Sequence, residues 1–361
     1  MAELSLRLST MLQDFAGTNA SSRQTAALIT TAIRSSPNLI DRFERAITAQ
    51  AFKGFDLLKP GTNSGGRYSP RTGFVSIDFA SVQAGDRGAL DRLTFVLGHE
   101  IAHALYQAEV AKADALFAER VASMAASLVA HDYTTYVRDY LAAQRANEAA
   151  ATIGGWNALR SSIDAGSTAP ISEHQYLSRL FPFVDTCIVK GPNNTYSLAS
   201  GVTVAWDYSI LPSAGRNLDI FGACYFDQPA SETGLGTQGN SDYTNYYGAR
   251  AISTIIQAEL VARKYYPGDV PEVILDMQAL GFSEALLESN GLYFDGDSAK
   301  FGYTDANGEW KTFDRKGGAS QGSPGSSPIA YLMNIAQDTE RLRGISEALG
   351  RPVIDHYWQT E

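Results

Sequence analysis

The chain has 361 residues, 44% of them hydrophobic and 19% charged, which excludes a disordered tail and leaves room for one large domain or two ordinary ones. Its 29 Lys and Arg stand against 39 Asp and Glu, a formal charge of −10. Such a balance disfavours phosphate backbones and anionic bilayers, so the expected partners include no nucleic acid and no membrane.

Two cysteines, Cys187 and Cys224, permit at most one disulfide; two small buried thiols are expected, with a single structural pair as the alternative. MAELSLRLSTMLQDF shows no basic stretch followed by an apolar one, and no run nears the ~20 apolar residues that span a bilayer. The expected address is the cytoplasm by default, with export by a specialised secretion system compatible with the same sequence.

In chain order, Ser22 to Gln50 is helical: Ala26, Leu28, Ile29 and Ile33 recur at helical spacing, and Ser36-Pro37 has the form of an N-cap followed by a first-turn proline. Phe52 to Leu58 reads as a strand, closed by the turn-rich KPGTNSGG. RYSPRTGFVSIDF, from Arg67 to Phe79, reads as a hairpin turning at Pro70 to Gly73. From Gly88 to Ala130 Ala, Leu and Val dominate a long helical region. HDYTT, at 131–135, interrupts it, and a second helical run is expected to end near Ile153, before Gly154-Gly155.

Beyond Ser161 Gly, Pro, Asn and Ser become frequent. Turns are expected at 191–194 and 305–308, helices at Ser241 to Tyr265 and Pro328 to Leu349, and short antiparallel strands between those helices. GGASQGSPGSSP, at 317–328, reads as a loop or lid. Gly234 to Gly239 fits GxGxxG but follows a polar loop, so a dinucleotide site is not expected. Asn193-Asn194-Thr195 fits a glycosylation sequon without a secretory signal to give it meaning.

The stretch that carries chemistry is GHEIAHALY, in which His99, Glu100 and His103 form HExxH. Four residues advance a helix by about 400° and ~6 Å, so both imidazoles lie on one face within reach of one ion. Glu100 falls on the neighbouring flank, suited to take a proton from an activated water rather than to ligate. Phe95, Val96, Leu97, Ile101, Ala102 and Leu105 surround these groups with apolar residues, where imidazole and carboxylate need metal or hydrogen-bond partners.

On this motif the chain resembles the zincin metallopeptidases. Metzincins continue as HExxHxxGxxH, whereas here Tyr106 and Glu109 hold those positions, so that branch does not match. Gluzincins draw their third ligand from a later NExxxD-like run; RANEAAAT places Glu148 45 residues after His103, with Thr152 where the family often has an Asp. The resemblance implies a Zn2+ held by His99, His103 and Glu148. Over roughly residues 50–160 it also implies an edge hairpin packed by the HExxH helix. The chain as a whole reads as an α+β, mostly helical fold, with a zincin-like catalytic core at 1–165 and a mixed α/β C-terminal lobe at 166–361 that completes the cleft. Asp242 in GNSDYTNYYGAR, like the third ligand of aspzincins, is a weaker alternative.

Geometry complicates Glu148. If the two helical runs reversed symmetrically at 131–135, Glu148 would lie level with about residue 117, ~21 Å from His103 at 1.5 Å per residue. A break in the motif helix between Gln107 and Asp114 is therefore expected. On this reasoning a helix continuous past Glu119 would overturn Glu148 and leave Glu109 or Glu119 as the ligand. The candidates for oxyanion donor are His174, Tyr243, Tyr246 and Tyr247, although a tyrosine-rich helix face is more often packing than catalysis, and His131, His174 and His356 are each expected to be structural.

Together these readings, with the resemblance, lead one to expect a zinc metallopeptidase acting on protein or peptide, with Glu100 as general base. A peptidoglycan amidase or endopeptidase of the bacterial effector-toxin type, or a non-catalytic zinc module, are the alternatives. Glu100 weighs against the last, since a structural site has no use for a base.

Overall fold

The computed structural model describes residues 3–313 except 60–63, 83–86, 237–238, 266–272, 291, 293–300 and 305–309. The expected turn at 305–308, lid at 317–328, helix at Pro328 to Leu349 and His356 fall outside the described residues. The fold is mostly helical with a few small sheets.

Three helices open the chain: α1 (Leu6–Thr18), α2 (Ala20–Ser35) and α3 (Pro37–Thr48). Each begins at a side-chain cap: Ser5, Asn19 and Ser36 accept from Leu8, Ser22 and Leu39 amides. Ser36 precedes Pro37 as expected, and its hydroxyl also donates to Ala158 O at 2.7 Å. Leu8, Leu12 and Phe15 bury one face of α1, and Ile29, Ile33, Leu39, Phe43 and Ile47 continue the same core. That core lies against β1 (Gly54–Leu57), β2 (Gly66–Ser69) and β3 (Phe74–Ile77). Their order is β1-β3-β2; β1 runs parallel to β3 and β2 antiparallel, which makes the hairpin's first strand an edge.

After α4 (Phe79–Val82) comes α5 (Arg87–Ala125), one helix of 39 residues that carries HExxH. The expected break at 107–114 does not occur. β4 (His131–Asp132) follows, then α6 (Thr134–Ala165). Gly154-Gly155 does not end this helix; it lies at the crossing with α5. A Cβ on Gly154 would come within 2.6 Å of Gly98 O, and one on Gly98 within 2.5 Å of Ala158 Cβ. Two glycines in a helix cost about 1 kcal/mol each, and here their bareness lets two backbones touch.

α7 (Glu173–Leu180), the hairpin of β5 (Ile188–Lys190) and β6 (Tyr196–Leu198), and α8 (Asn217–Tyr225) pack with the C-terminal half of α6 around Trp156, Leu159, Leu177 and Phe221. The expected turn at 191–194 joins β5 to β6. Cys187 and Cys224 form a disulfide, which corrects the expectation of two free thiols: their Cα atoms stand 5.3 Å apart, within bonding reach.

Two compact units emerge. One comprises residues 1–110 and 145–228; the other comprises 111–144 and 229–361. Residues 166–228 thus belong with the motif-bearing unit. In the second unit, α9 (Ala230–Thr233) precedes α10 (Tyr243–Tyr265), the helix expected from Ser241. β7 (Val273–Leu275), α11 (Met277–Leu280), α12 (Glu284–Ser289), β8 (Phe301–Thr304) and β9 (Trp310–Phe313) follow, with sheet order β4-β7-β8-β9. β8 and β9 pair antiparallel, as the strand-like texture of that stretch leads one to expect. No helix of the described residues is long and apolar enough to cross a membrane.

Candidate metal centre

His99 and His103 stand one turn apart on the buried face of α5, and their Nε2 atoms lie 3.1 Å apart. Glu148 of α6 brings Oε2 to 3.6 Å from His99 Nε2 and 3.7 Å from His103 Nε2. Tetrahedral ligands at ~2.0–2.1 Å from zinc stand about 3.3–3.4 Å from one another, so the three donors are spaced as one ion requires. Among the described residues this is the one group of three His, Cys, Asp or Glu side chains close enough to share an ion. His99 and Glu148 are largely buried, at 7% and 5% exposure, and His103 is partly so.

Glu148 reaches the motif although α5 continues past Glu119, so the symmetric-reversal premise was at fault. The reversal begins ahead of 131–135: residues 126–129 turn and bend directly after the end of α5, and the extended pair His131-Asp132 leads into α6. This reversal brings the start of α6 back beside α5. Phe117 stacks near Tyr140 at 4.8 Å and Arg120 pairs with Asp139 at 2.6 Å. Further along, Gly98 faces Gly154 and His103 faces Asn147, which puts Glu148 level with the motif. Glu109 and Glu119 lie exposed on α5, outside the donor group.

The histidine support differs from the expected one. Thr152, at the position where gluzincins often carry Asp, donates to Glu148 O within its own helix at 2.9 Å. Asn147 instead places Oδ1 3.2 Å from His103 Nδ1. Accepting a hydrogen bond from Nδ1–H there fixes the tautomer that leaves Nε2 with its lone pair toward the donor group. The asparagine stands in the same NE pair that points to Glu148, so its role was within reach of the sequence.

Glu100 lies beside this group, 7% exposed, and its Oε2 accepts the backbone N–H of Tyr68 at 2.6 Å. Burial pushes its carboxyl up to about 7. His103 opposes that shift, Glu148 adds to it, and the Tyr68 amide and Arg67 oppose it. A carboxyl near 7 is suited to exchange a proton at neutral pH. The edge strand is pressed onto α5 here: a Cβ on Gly66 would meet Val96 Cγ1 at 2.5 Å and Glu100 Cγ at 3.1 Å. The Tyr68 hydroxyl, held between Ala51 O (2.8 Å) and Gln107 Oε1 (2.6 Å), is kept protonated by burial, its pKa raised to about 12.

Of the expected oxyanion donors, His174 is exposed on α7 and packs against Tyr196. Tyr243, Tyr246 and Tyr247 belong to the second unit, where their rings pack on one another. Asp242 lies there too and caps α10, accepting from the Asn245 amide at 2.7 Å. The aromatic ring against the donor group is Tyr225, 5.5 Å from the His99 imidazole. Nothing in the spacing of the sequence marks it.

His131 is buried in the second unit with Nδ1 2.6 Å from Glu259 Oε1, a carboxylate that also accepts from the Tyr133 hydroxyl at 2.5 Å. Comparison with known protein families, curated proteins and solved structures finds no match, so what this chain does is read from its own residues.

Proposed function

We propose that the chain is a zinc metallopeptidase with a zincin-like core, in which His99, His103 and Glu148 hold the ion. The observation that carries the reading is that two helices bring these three donors to 3.1–3.7 Å of one another, with a protonatable carboxyl beside them. Two imidazoles and one carboxylate suit zinc and leave a coordination position open. When bound, zinc supplies Lewis acidity, polarising an amide carbonyl and acidifying water.

Glu100 takes the proton of the attacking water and delivers it to the departing amine nitrogen. The Tyr68 amide holds Glu100 in place for both transfers. Asn147 holds the His103 ring. β2 is an edge strand against the same helix, an arrangement that suits an extended peptide.

Hydrolysis of peptide cross-links in bacterial peptidoglycan, by the same residues, is a second reading. The Cys187–Cys224 disulfide favours it, because such bonds persist in the oxidising compartments where cell wall lies.

The test is elemental analysis followed by turnover. Wild type and Glu100→Gln should each carry about one zinc per chain, and only wild type should cleave casein or release wall peptides. A wild type that stays empty when offered zinc overturns the reading. Casein cleavage without wall release selects the first substrate class, and the converse selects the second.

A further inference from the structure

We propose that Tyr225 is a wall of the metal centre and that the Cys187–Cys224 disulfide positions it there, so that metal binding responds to redox state; the inference rests on the metal reading above. Tyr225 is the last residue of α8 and directly follows Cys224. Its ring lies 5.5 Å from the His99 imidazole at an interplanar angle of 49°, packing against the ring and restricting its rotation.

The opposite end of α8 is fixed by Asn217, whose amide bonds both Thr203 N and Thr203 O at 2.8 Å. At the Tyr225 end, Cys224 O accepts from Thr186 Oγ1 at 2.5 Å and from Gln228 Nε2 at 2.8 Å. Just past that end Arg145 forks onto Asp227 at 2.8 and 2.7 Å, and it also reaches Asp219 O, in the first turn of α8, at 3.0 Å. Arg145 precedes Glu148 by one helical turn, so the helix that carries the third donor is itself tied to α8. Its guanidinium lies on the helix backbone: a Cβ on Gly222 would come within 2.6 Å of Arg145 Cζ.

Among these ties only the disulfide is covalent. The Arg145–Asp227 pair is 27% and 45% exposed and holds weakly by comparison. The disulfide closes a stretch of 37 residues and anchors Cys224 beside β5. A dithiol reductant opens it by exchange. The S–S bond breaks, two electrons and two protons pass to the cysteines to give two thiols, and the reductant becomes a disulfide. The end of α8 is then held by hydrogen bonds, one exposed ion pair and the burial of Phe221 and Phe226, with no covalent tie, and Tyr225 is less firmly seated on His99. A chain kept reduced where it is made would bind metal weakly and tighten on entering an oxidising space.

The experiment measures zinc affinity by competition with a chromophoric chelator, and the visible spectrum with cobalt as the probe. Full-length oxidised wild type, reduced wild type, Cys187→Ala/Cys224→Ala, Tyr225→Ala and Tyr225→Phe are compared. Reduction, the double alanine variant and Tyr225→Ala should each weaken zinc by about tenfold, the scale of losing a group that orients a ligand, and shift the cobalt bands. Tyr225→Phe keeps the ring and should match wild type on both readouts. The alanine pair has no thiols to bind zinc themselves, and if it fails to fold, Tyr225→Ala against Tyr225→Phe decides. Oxidised wild type that binds no zinc would sink the metal reading beneath this inference. Wild type that binds zinc, with Tyr225→Ala and the reduced protein equally tight and spectrally unchanged, would sink the inference alone.

Discussion

Among the described residues sit two buried groupings of histidine and glutamate, and they are built in opposite ways. In the second unit His131, Tyr133 and Glu259 are closed upon themselves at 2.6 and 2.5 Å, with the far nitrogen of His131 3.2 Å from Ser127 O. In the first unit Glu148 stands 3.6 and 3.7 Å from two imidazoles whose nitrogens point to the same place. The closed set meets its own hydrogen-bonding needs and serves packing, whereas the open set holds its donors at a spacing that a cation completes. Residue type alone does not separate the two; the distances do.

Four substitutions sharpen or break that contrast. Glu259→Ala leaves His131 and Tyr133 buried without their acceptor and should cost about 3–5 kcal/mol of stability, with zinc content unchanged; urea melts and elemental analysis on the same preparation check both. Glu148→Ala should do the reverse, weakening zinc by more than ~100-fold while the metal-free protein melts close to wild type. Equal destabilisation by the two variants would erase the distinction.

Glu100→Gln comes next. The Glu100 carboxyl is raised from 4.5 to about 7, chiefly by burial, so the folded state holds its proton more tightly than the unfolded chain. Its ionisation therefore lowers stability as pH rises from 4.5 through 7. In protein stripped of metal, glutamine should gain up to about 2–3 kcal/mol at pH 8, and nothing below pH 4.5. Parallel melts at pH 4 and pH 8 read this out, and a pH-independent difference contradicts it. The smallest effect is expected at Asn147→Ala, a roughly tenfold loss of zinc affinity with a normal melt.

Much of the first unit is legible in the sequence because its signals are local. Ser36-Pro37 starts α3, the hairpin at Arg67 to Phe79 forms β2 and β3, and HExxH sits on a buried helix. Glu148 was legible as a residue type beside Asn147, yet the argument from helix lengths pointed away from it. That argument centred the reversal on 131–135 and carried one register along both helices, whereas the chain turns from residue 126 and the pairing Arg120–Asp139 gives way to His103–Asn147. Gly154-Gly155 reads as a helix end when the partner is unseen, because the propensity cost is local and the packing gain comes from Gly98 on another helix. Tyr225 was invisible for the same reason, since a contact between residues 99 and 225 leaves no period in the sequence, and the disulfide was legible only as the alternative to two thiols.

The amide of Asn147 carries a consequence for reactivity. A carboxylate in its place would push electron density through His103, whereas a neutral amide fixes the ring without enriching it. Of the three donors only Glu148 brings a negative charge, so a divalent ion seated among them keeps a surplus positive charge. A centre of that kind is a stronger electrophile, and it should favour anionic chelating inhibitors, such as hydroxamates, over neutral ones of the same shape.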